Sequence, residues 1–132
     1  MMSDSYKYVI RGEPIPFSHH FVEKGTWNHY RSLKLNYILQ LENQHGDKPK
    51  LNGPIALTAK FYFSIPQRLL RRTYLKPGLH HIDNPPLFSL AEFIAAIAQE
   101  CLLSHAGAIA TLSAEKYYDH EPRVELEIEE IR

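Results

Sequence analysis

The hydrophobic pattern along this chain changes period several times, and each change marks an element. Residues 6–11, YKYVIR, are rich in β-formers and predict a first strand. GEPIPFS breaks it, because Gly12, Pro14 and Pro16 cannot continue a central strand. SHHFVEKGTWNH follows as a loop turning at Gly25. Over residues 29–43, Tyr30, Leu33, Tyr37 and Leu41 fall on one stripe at helical spacing with Ile38 beside them, and Asn28 is placed to cap the helix. Residues 54–65 switch to strict alternation. Ile55, Leu57, Ala59, Phe61, Phe63 and Ile65 face one way, and Thr58, Lys60, Tyr62 and Ser64 the other, which predicts a half-buried strand.

A basic, irregular connection, QRLLRRTYLKPG, leads to a second helix over 86–104, with Pro86 tolerated in its first turn. This helix is apolar on nearly every side. Leu90, Phe93, Ile94, Ile97 and Cys101 therefore predict burial on one face and contact with a second copy of the chain on another. Residues 107–118 and 124–130 read as the two strands of a β-hairpin, with Val124, Leu126 and Ile128 inward. The order is β-α-β, room for one more short strand, then α-β-β. This is an α+β fold, a single domain over 1–132 with two main helices and a mixed or antiparallel sheet.

Composition narrows the functional classes. The 132 residues suffice for a core without disulfide or metal staples. Fifteen basic residues balance fifteen acidic ones, so net charge lends nucleic-acid binding no general support. The basic residues that cluster are Arg68, Arg71, Arg72 and Lys76, a candidate phosphate-contacting set with Tyr74 among them; a solvated loop is the plainer alternative. A lone cysteine and a short polar N-terminus point to a reducing, cytoplasmic setting, and no run is apolar enough for a membrane span. Cys101 has no basic neighbour in sequence and reads as a structural thiol. Glycine-rich phosphate loops, CxxC pairs, GxSxG and HExxH are absent, which removes support for nucleotide hydrolysis and for serine or zinc proteolysis.

The remaining chemistry lies in LHHIDNPPLF. If the segment is extended, His81 and Asp83 share a face. Together with His105 they offer two imidazoles and a carboxylate, a set suited to a transition metal. The alternative is that Asp83 caps the second helix and the histidines are ordinary side chains. His19 and His20 are loop residues that can approach the same region.

In its order of motifs the chain resembles the RusA-like Holliday-junction resolvases. GEPIP follows the first strand, NHYRSLKLNYILQL forms a tyrosine-bearing helix, and LNGPIALTAKFYFSIP is a Gly-Pro strand ending in Phe-x-Phe and Pro. HIDN precedes the long helix, and AEKYYDHEPRVELEI closes the set. The resemblance implies a homodimeric endonuclease acting on branched DNA, with carboxylates holding Mg²⁺ or Mn²⁺ and a lysine opposite the phosphate. The implied pattern is Asp-x-Asp-Asn, a lysine four residues after the second Asp, a helix, and an Asp-Asp pair beyond it. Here Asp83 and Asn84 match, but His81 replaces the first Asp, Leu87 the lysine, and Ser104 and His105 the final pair. The arginines often found after Gly-x-Pro are replaced by FSHHFV. The expectation is a RusA-fold protein that has lost the nuclease chemistry and serves as a DNA-binding or regulatory module, with no cofactor required. Two alternatives stand beside it: an active nuclease using Asp83 with His81 and His105, and a dimeric protein-interaction domain.

Overall fold

The computed structural model describes residues 5–16, 27–65 (side chains from 31), 77–81, 85–105 and 107–131. Among these residues, four strands and two helices make a small α+β domain. In chain order they are β1 (Ser5–Arg11), α1 (Trp27–His45), β2 (Ile55–Ser64), α2 (Leu87–Leu102), β3 (Ile109–Asp119) and β4 (Arg123–Glu130). The sheet is mixed, in the order β1-β4-β2-β3. β2 and β3 run parallel, joined through α2, while β4 lies antiparallel to both β1 and β2.

The predicted hairpin is thus not formed, because β2 lies between β3 and β4. Ser64 partners Asp119 on one side of β2 and Tyr62 partners Arg123 on the other. The chain crosses the end of β2 through His120, Glu121 and Pro122. Two inter-strand steps are roughly 10 Å, within reach of a short extended link. Arg123 ties the crossing down. Its guanidinium lies 3.9 Å from the Tyr62 ring centre and donates to Asp119, Glu121 and Glu125 at 2.8–2.9 Å.

The alternation read along β2 and β4 is realised residue by residue. Ile55, Leu57, Ala59, Phe61 and Phe63, with Val124, Leu126 and Ile128, are buried under the helices beside Tyr8 and Ile10. From α1 come Tyr37 and Leu41, and the Tyr37 and Phe93 rings meet edge to face at 5.3 Å. α1 ends where Gly46 takes a left-handed φ of 63° and its N–H bonds to the Glu42 carbonyl. Just before it, His45 is buried. Its Nε2–H donates to the Pro49 carbonyl, so Nδ1 accepts the Tyr8 hydroxyl at 2.7 Å. Burial pushes the Tyr8 phenol up to about 12.

α2 differs from expectation in what its apolar residues do. Leu90, Phe93, Ile94 and Ile97 lie in the chain's own core, so one protomer accounts for these four, while Phe88 on the same helix stays exposed. These four are unavailable to a partner subunit, which corrects the assignment of a dimer face to them. Cys101 is half-buried at the edge of the same core. The N-cap position is Pro86, with no side-chain capping bond of its own, and Asp83, the expected cap, lies outside the described residues. Asn28 likewise falls inside α1 and not before it. At the other end, the Leu102 carbonyl accepts the Leu51 N–H at 2.8 Å, satisfying part of the open last turn.

The outer edge of β1 is closed by two side-chain amides from α1. Gln44 accepts the Val9 N–H at 2.8 Å and donates to the Val9 carbonyl; Gln40 does the same for Arg11. Each glutamine takes the place of a strand residue along the edge.

Candidate functional site

The end of the sheet where β2 and β3 finish carries most of the chemistry. Residues 78–81 run along the outer edge of β3 there. Gly78 and Tyr118 exchange bonds with neighbouring backbone, Tyr118 N–H reaching Leu79 at 2.8 Å, and His81 N–H bonds to Lys116 at 3.2 Å. The pleat then sends consecutive histidines to opposite faces.

His81 turns to the helix side and is buried at 8% exposure. Its ring stacks on Phe63 at 4.1 Å between centres and leans on Tyr118 at 4.9 Å. His80 turns to the open face, where its ring stacks on Tyr117 at 4.8 Å. The Lys116 carbonyl can only accept, so the His80 Nδ1 at 3.0 Å carries the proton. Tyr117 in turn stacks on Tyr62 at 5.4 Å, and Arg123 covers the far side of Tyr62. Four planar groups therefore stand in one row across three strands and the flanking segment.

Carboxylates surround this row. Glu115 accepts the Tyr117 hydroxyl, and that bond is the main cause that pushes Tyr117 up to about 12. Hydrogen bonding by Arg123 holds the Asp119 carboxyl below its ordinary value. In register, Lys60 lies between Glu125 and Glu115, and Thr58 beside Glu127. The open face thus interleaves the acids Glu115, Asp119, Glu125, Glu127 and Glu129 with the cations Lys7, Arg11, Lys60 and Arg123.

The GEPIP element reaches the same end. Glu13 accepts the Ser64 N–H at 3.3 Å and the Ser64 hydroxyl, and Tyr37 accepts the Ile15 N–H at 3.1 Å. A cavity of about 400 Å³ lies between this element and α1, lined by Arg11, Glu13, Ile15, Leu33 and Tyr37 among others.

The predicted metal set does not come together. His81 sits beside Phe63, at the finish of β2. His105 sits at its start, with Gly53 and Pro54 around a shallow cavity. Phe63 is eight residues along β2 from Ile55 (63 − 55), roughly 26 Å in an extended strand. α2 gives a second ruler: the HIDN segment precedes its 16 residues and Ser104–His105 follow them, about 24 Å apart. His81 and His105 cannot share an ion within one chain. Asp83 lies outside the described residues, as do Arg68, Arg71, Arg72, Lys76, His19 and His20. Among the described residues no cluster of three or more His, Cys, Asp or Glu side chains forms. A hard cation such as Mg²⁺ needs several oxygen donors, and a buried imidazole between two aromatic rings does not fit that need.

One residue missed in the sequence is Lys116. Its Nζ donates to the Pro85 carbonyl at 2.9 Å, just ahead of α2. A lysine is therefore present near this end, delivered by β3 and not by position 87. Leu87 instead packs partly buried against the core. The thiol of Cys101 is pushed up to about 11 by burial, which leaves it a poor nucleophile at neutral pH. No helix among the described residues is long and apolar enough to cross a membrane. Comparison with protein-family models and with curated proteins finds no match for this chain.

Proposed function

We propose that this chain is a RusA-fold protein whose nuclease site has given way to packing, and that it acts as a binding or regulatory module on branched DNA. The observation that carries this reading is the burial of His81. At the position where the resemblance calls for a metal-binding carboxylate, an imidazole is stacked on Phe63 and shielded from solvent. Leu87, in the place of the lysine, likewise serves the core. The open sheet face sets Lys7, Arg11, Lys60 and Arg123 against Glu115, Asp119, Glu125, Glu127 and Glu129, so it offers a polyanion no excess of positive charge. The DNA surface in this reading is the end of the sheet. Lys116 lies there, and Ile65 and Pro77, which flank the stretch containing Arg68, Arg71, Arg72 and Lys76, are close by in sequence to Phe63 and Gly78.

The test is a labelled synthetic four-way junction, titrated with purified protein without metal and then with Mg²⁺ or Mn²⁺. Salt-dependent binding without cleavage is expected, weakened by Arg71→Glu and Arg72→Glu. Cleavage that Asp83→Ala removes overturns the lapsed-site reading. Absence of binding overturns the DNA reading and favours a protein-interaction domain, for which the exposed Leu35, Leu39 and Phe88 on the helices are the supporting observation.

A further inference from the structure

The segment that leads from α1 into β2 holds a dipeptide whose chemistry the functional reading does not use. Of the five asparagines in the chain, only Asn52 precedes a glycine. Asn52 and Gly53 are both exposed. The backbone on either side of them is held. The Leu51 N–H bonds to the Leu102 carbonyl at 2.8 Å, and the Leu51 carbonyl accepts the Ser104 N–H at 3.0 Å. Beyond the pair, the Pro54 carbonyl accepts the Ile131 N–H at 2.9 Å and the Ile55 N–H bonds to the Ala108 carbonyl at 2.8 Å. The Ser104 hydroxyl completes the site. It lies 3.1 Å from the Leu51 carbonyl and also bonds to Asn52 Oδ1.

An asparagine side chain can be attacked by the backbone nitrogen that follows it. Gly53 has no Cβ, so its nitrogen can approach the Asn52 Cγ with no side chain in the way, and its φ of 81° is one that glycine adopts freely. As the nitrogen adds to Cγ, negative charge builds on Oδ1. The Ser104 hydroxyl already points a donor at that oxygen, the arrangement that stabilises a developing oxyanion. The dipeptide is visible in sequence, but the donor arrives from 52 residues away, beyond the end of α2.

We infer that Asn52–Gly53 is a site of spontaneous covalent modification, converting to isoaspartate and aspartate with Ser104 assisting. The Gly53 nitrogen bonds to the Asn52 Cγ and the Cγ–Nδ2 bond breaks. The displaced amide takes the Gly53 proton and leaves as ammonia. The five-membered succinimide then takes up one molecule of solvent water. Opening at Cγ gives aspartate; opening at the Asn52 main-chain carbonyl gives isoaspartate. One water is consumed, one ammonia is released and nothing is oxidised or reduced. Either product carries a new carboxylate beside Ser104. Isoaspartate also adds a carbon to the main chain between Leu51, which is tied to the end of α2, and Ile55, which starts β2. The modification therefore strains the ties of Leu51 and Pro54 that dock this segment on its neighbours.

The test holds the purified full chain at mildly alkaline pH and physiological temperature for days to weeks, then digests it with trypsin. Cleavage after Lys50 and Lys60 isolates residues 51–60, in which Asn52 is the only asparagine. A one-dalton mass gain and a separately eluting isoaspartyl isomer are expected in this peptide, while Asn36 and Asn43 on α1 stay unchanged. Gly53→Ala, whose methyl group hinders the nitrogen, should slow the gain by an order of magnitude. Ser104→Ala should slow it severalfold in the folded chain and not at all in urea, where the contact with Asn52 is lost. No gain at Asn52, or an equal gain at Asn36 and Asn43, overturns the inference. So does a folded rate that Ser104→Ala leaves unchanged, because the conversion then owes nothing to the fold. None of these outcomes depends on DNA binding, so failure here and failure of the functional reading are separable.

Discussion

Replacing His81 by aspartate introduces the carboxylate that the proposed resemblance expects there and asks whether the slot can accept it. The substitution removes a ring stacked on Phe63 and leaning on Tyr118, each aromatic contact worth about 0.5–1.5 kcal/mol beyond its area. It also brings a carboxylate into a site only 8% exposed. Burial raises its pKa, and each unit of rise costs about 1.4 kcal/mol at neutral pH. A total of about 3–5 kcal/mol follows from these terms. For 132 residues, unfolding entropy near 2.1 cal/mol/K per residue gives roughly 0.28 kcal/mol/K, and a fall in Tm of about 11–18 °C. His81→Phe, which keeps an aromatic ring in place, should lose less than about 1.5 kcal/mol. The charge component is isolated by comparing His81→Asp with His81→Asn in urea titrations from acid to neutral pH. An aspartate whose folded pKa is raised binds more protons in the folded state, so its stability falls as pH rises. The two variants should converge near pH 4, roughly the unfolded carboxyl value, and separate above it. If His81→Asp matches wild type at neutral pH, or tracks His81→Asn throughout, the slot is open to water and the lapsed-site argument fails.

Two further outcomes follow from the open face. Arg123→Ala removes the cation over Tyr62 and the pins on the β3–β4 crossing, and should cost about 1–2 kcal/mol by urea denaturation, with Arg123→Lys recovering little. Because Arg123 depresses the Asp119 pKa, their pairing stabilises above the ordinary carboxyl pKa and fades as pH falls through the depressed value; a wild type to Arg123→Ala gap that is flat with pH contradicts it. Ultraviolet titration of the tyrosines should show two midpoints near 12, from Tyr8 and Tyr117, of which Glu115→Gln returns only the Tyr117 midpoint toward 10, and no movement would mean that the Glu115–Tyr117 bond is absent in solution.

Elements and faces were legible in the sequence wherever a local period determined them. The alternation in β2 and β4 names the buried residues correctly, and the stripe on α1 selects Tyr37 and Leu41. Partners were not legible, because pairing is non-local. β3 and β4 carry the pattern of a hairpin, and only the position of β2 separates them. The all-apolar α2 shows how much surface seeks cover but not whether the cover is internal; here the sheet and Tyr37 supply it. The site was half legible. His80 and His81 lie at the end of the sheet where β2 and β3 finish, yet spacing in sequence cannot reveal that they take opposite faces or that His105 lies at the far end of β2. Nor does it show Lys116 arriving from β3, because nothing near that residue in sequence points to Pro85.

The placement of β4 between β1 and β2 also governs how the domain is assembled. Ser5 bonds to Glu127, 122 residues further along, and every strand partner of β1 belongs to β4. Before β4 arrives, β2 and β3 can join through α2, but β1 has no strand neighbour, only the side chains of α1, and the row of Arg123, Tyr62, Tyr117 and His80 lacks its cation. Loop closure over such separations gives this docking a large entropic cost in assembling the sheet. The last strand is thus the keystone: its insertion completes the sheet, closes the core over Phe61 and finishes the candidate site in a single step.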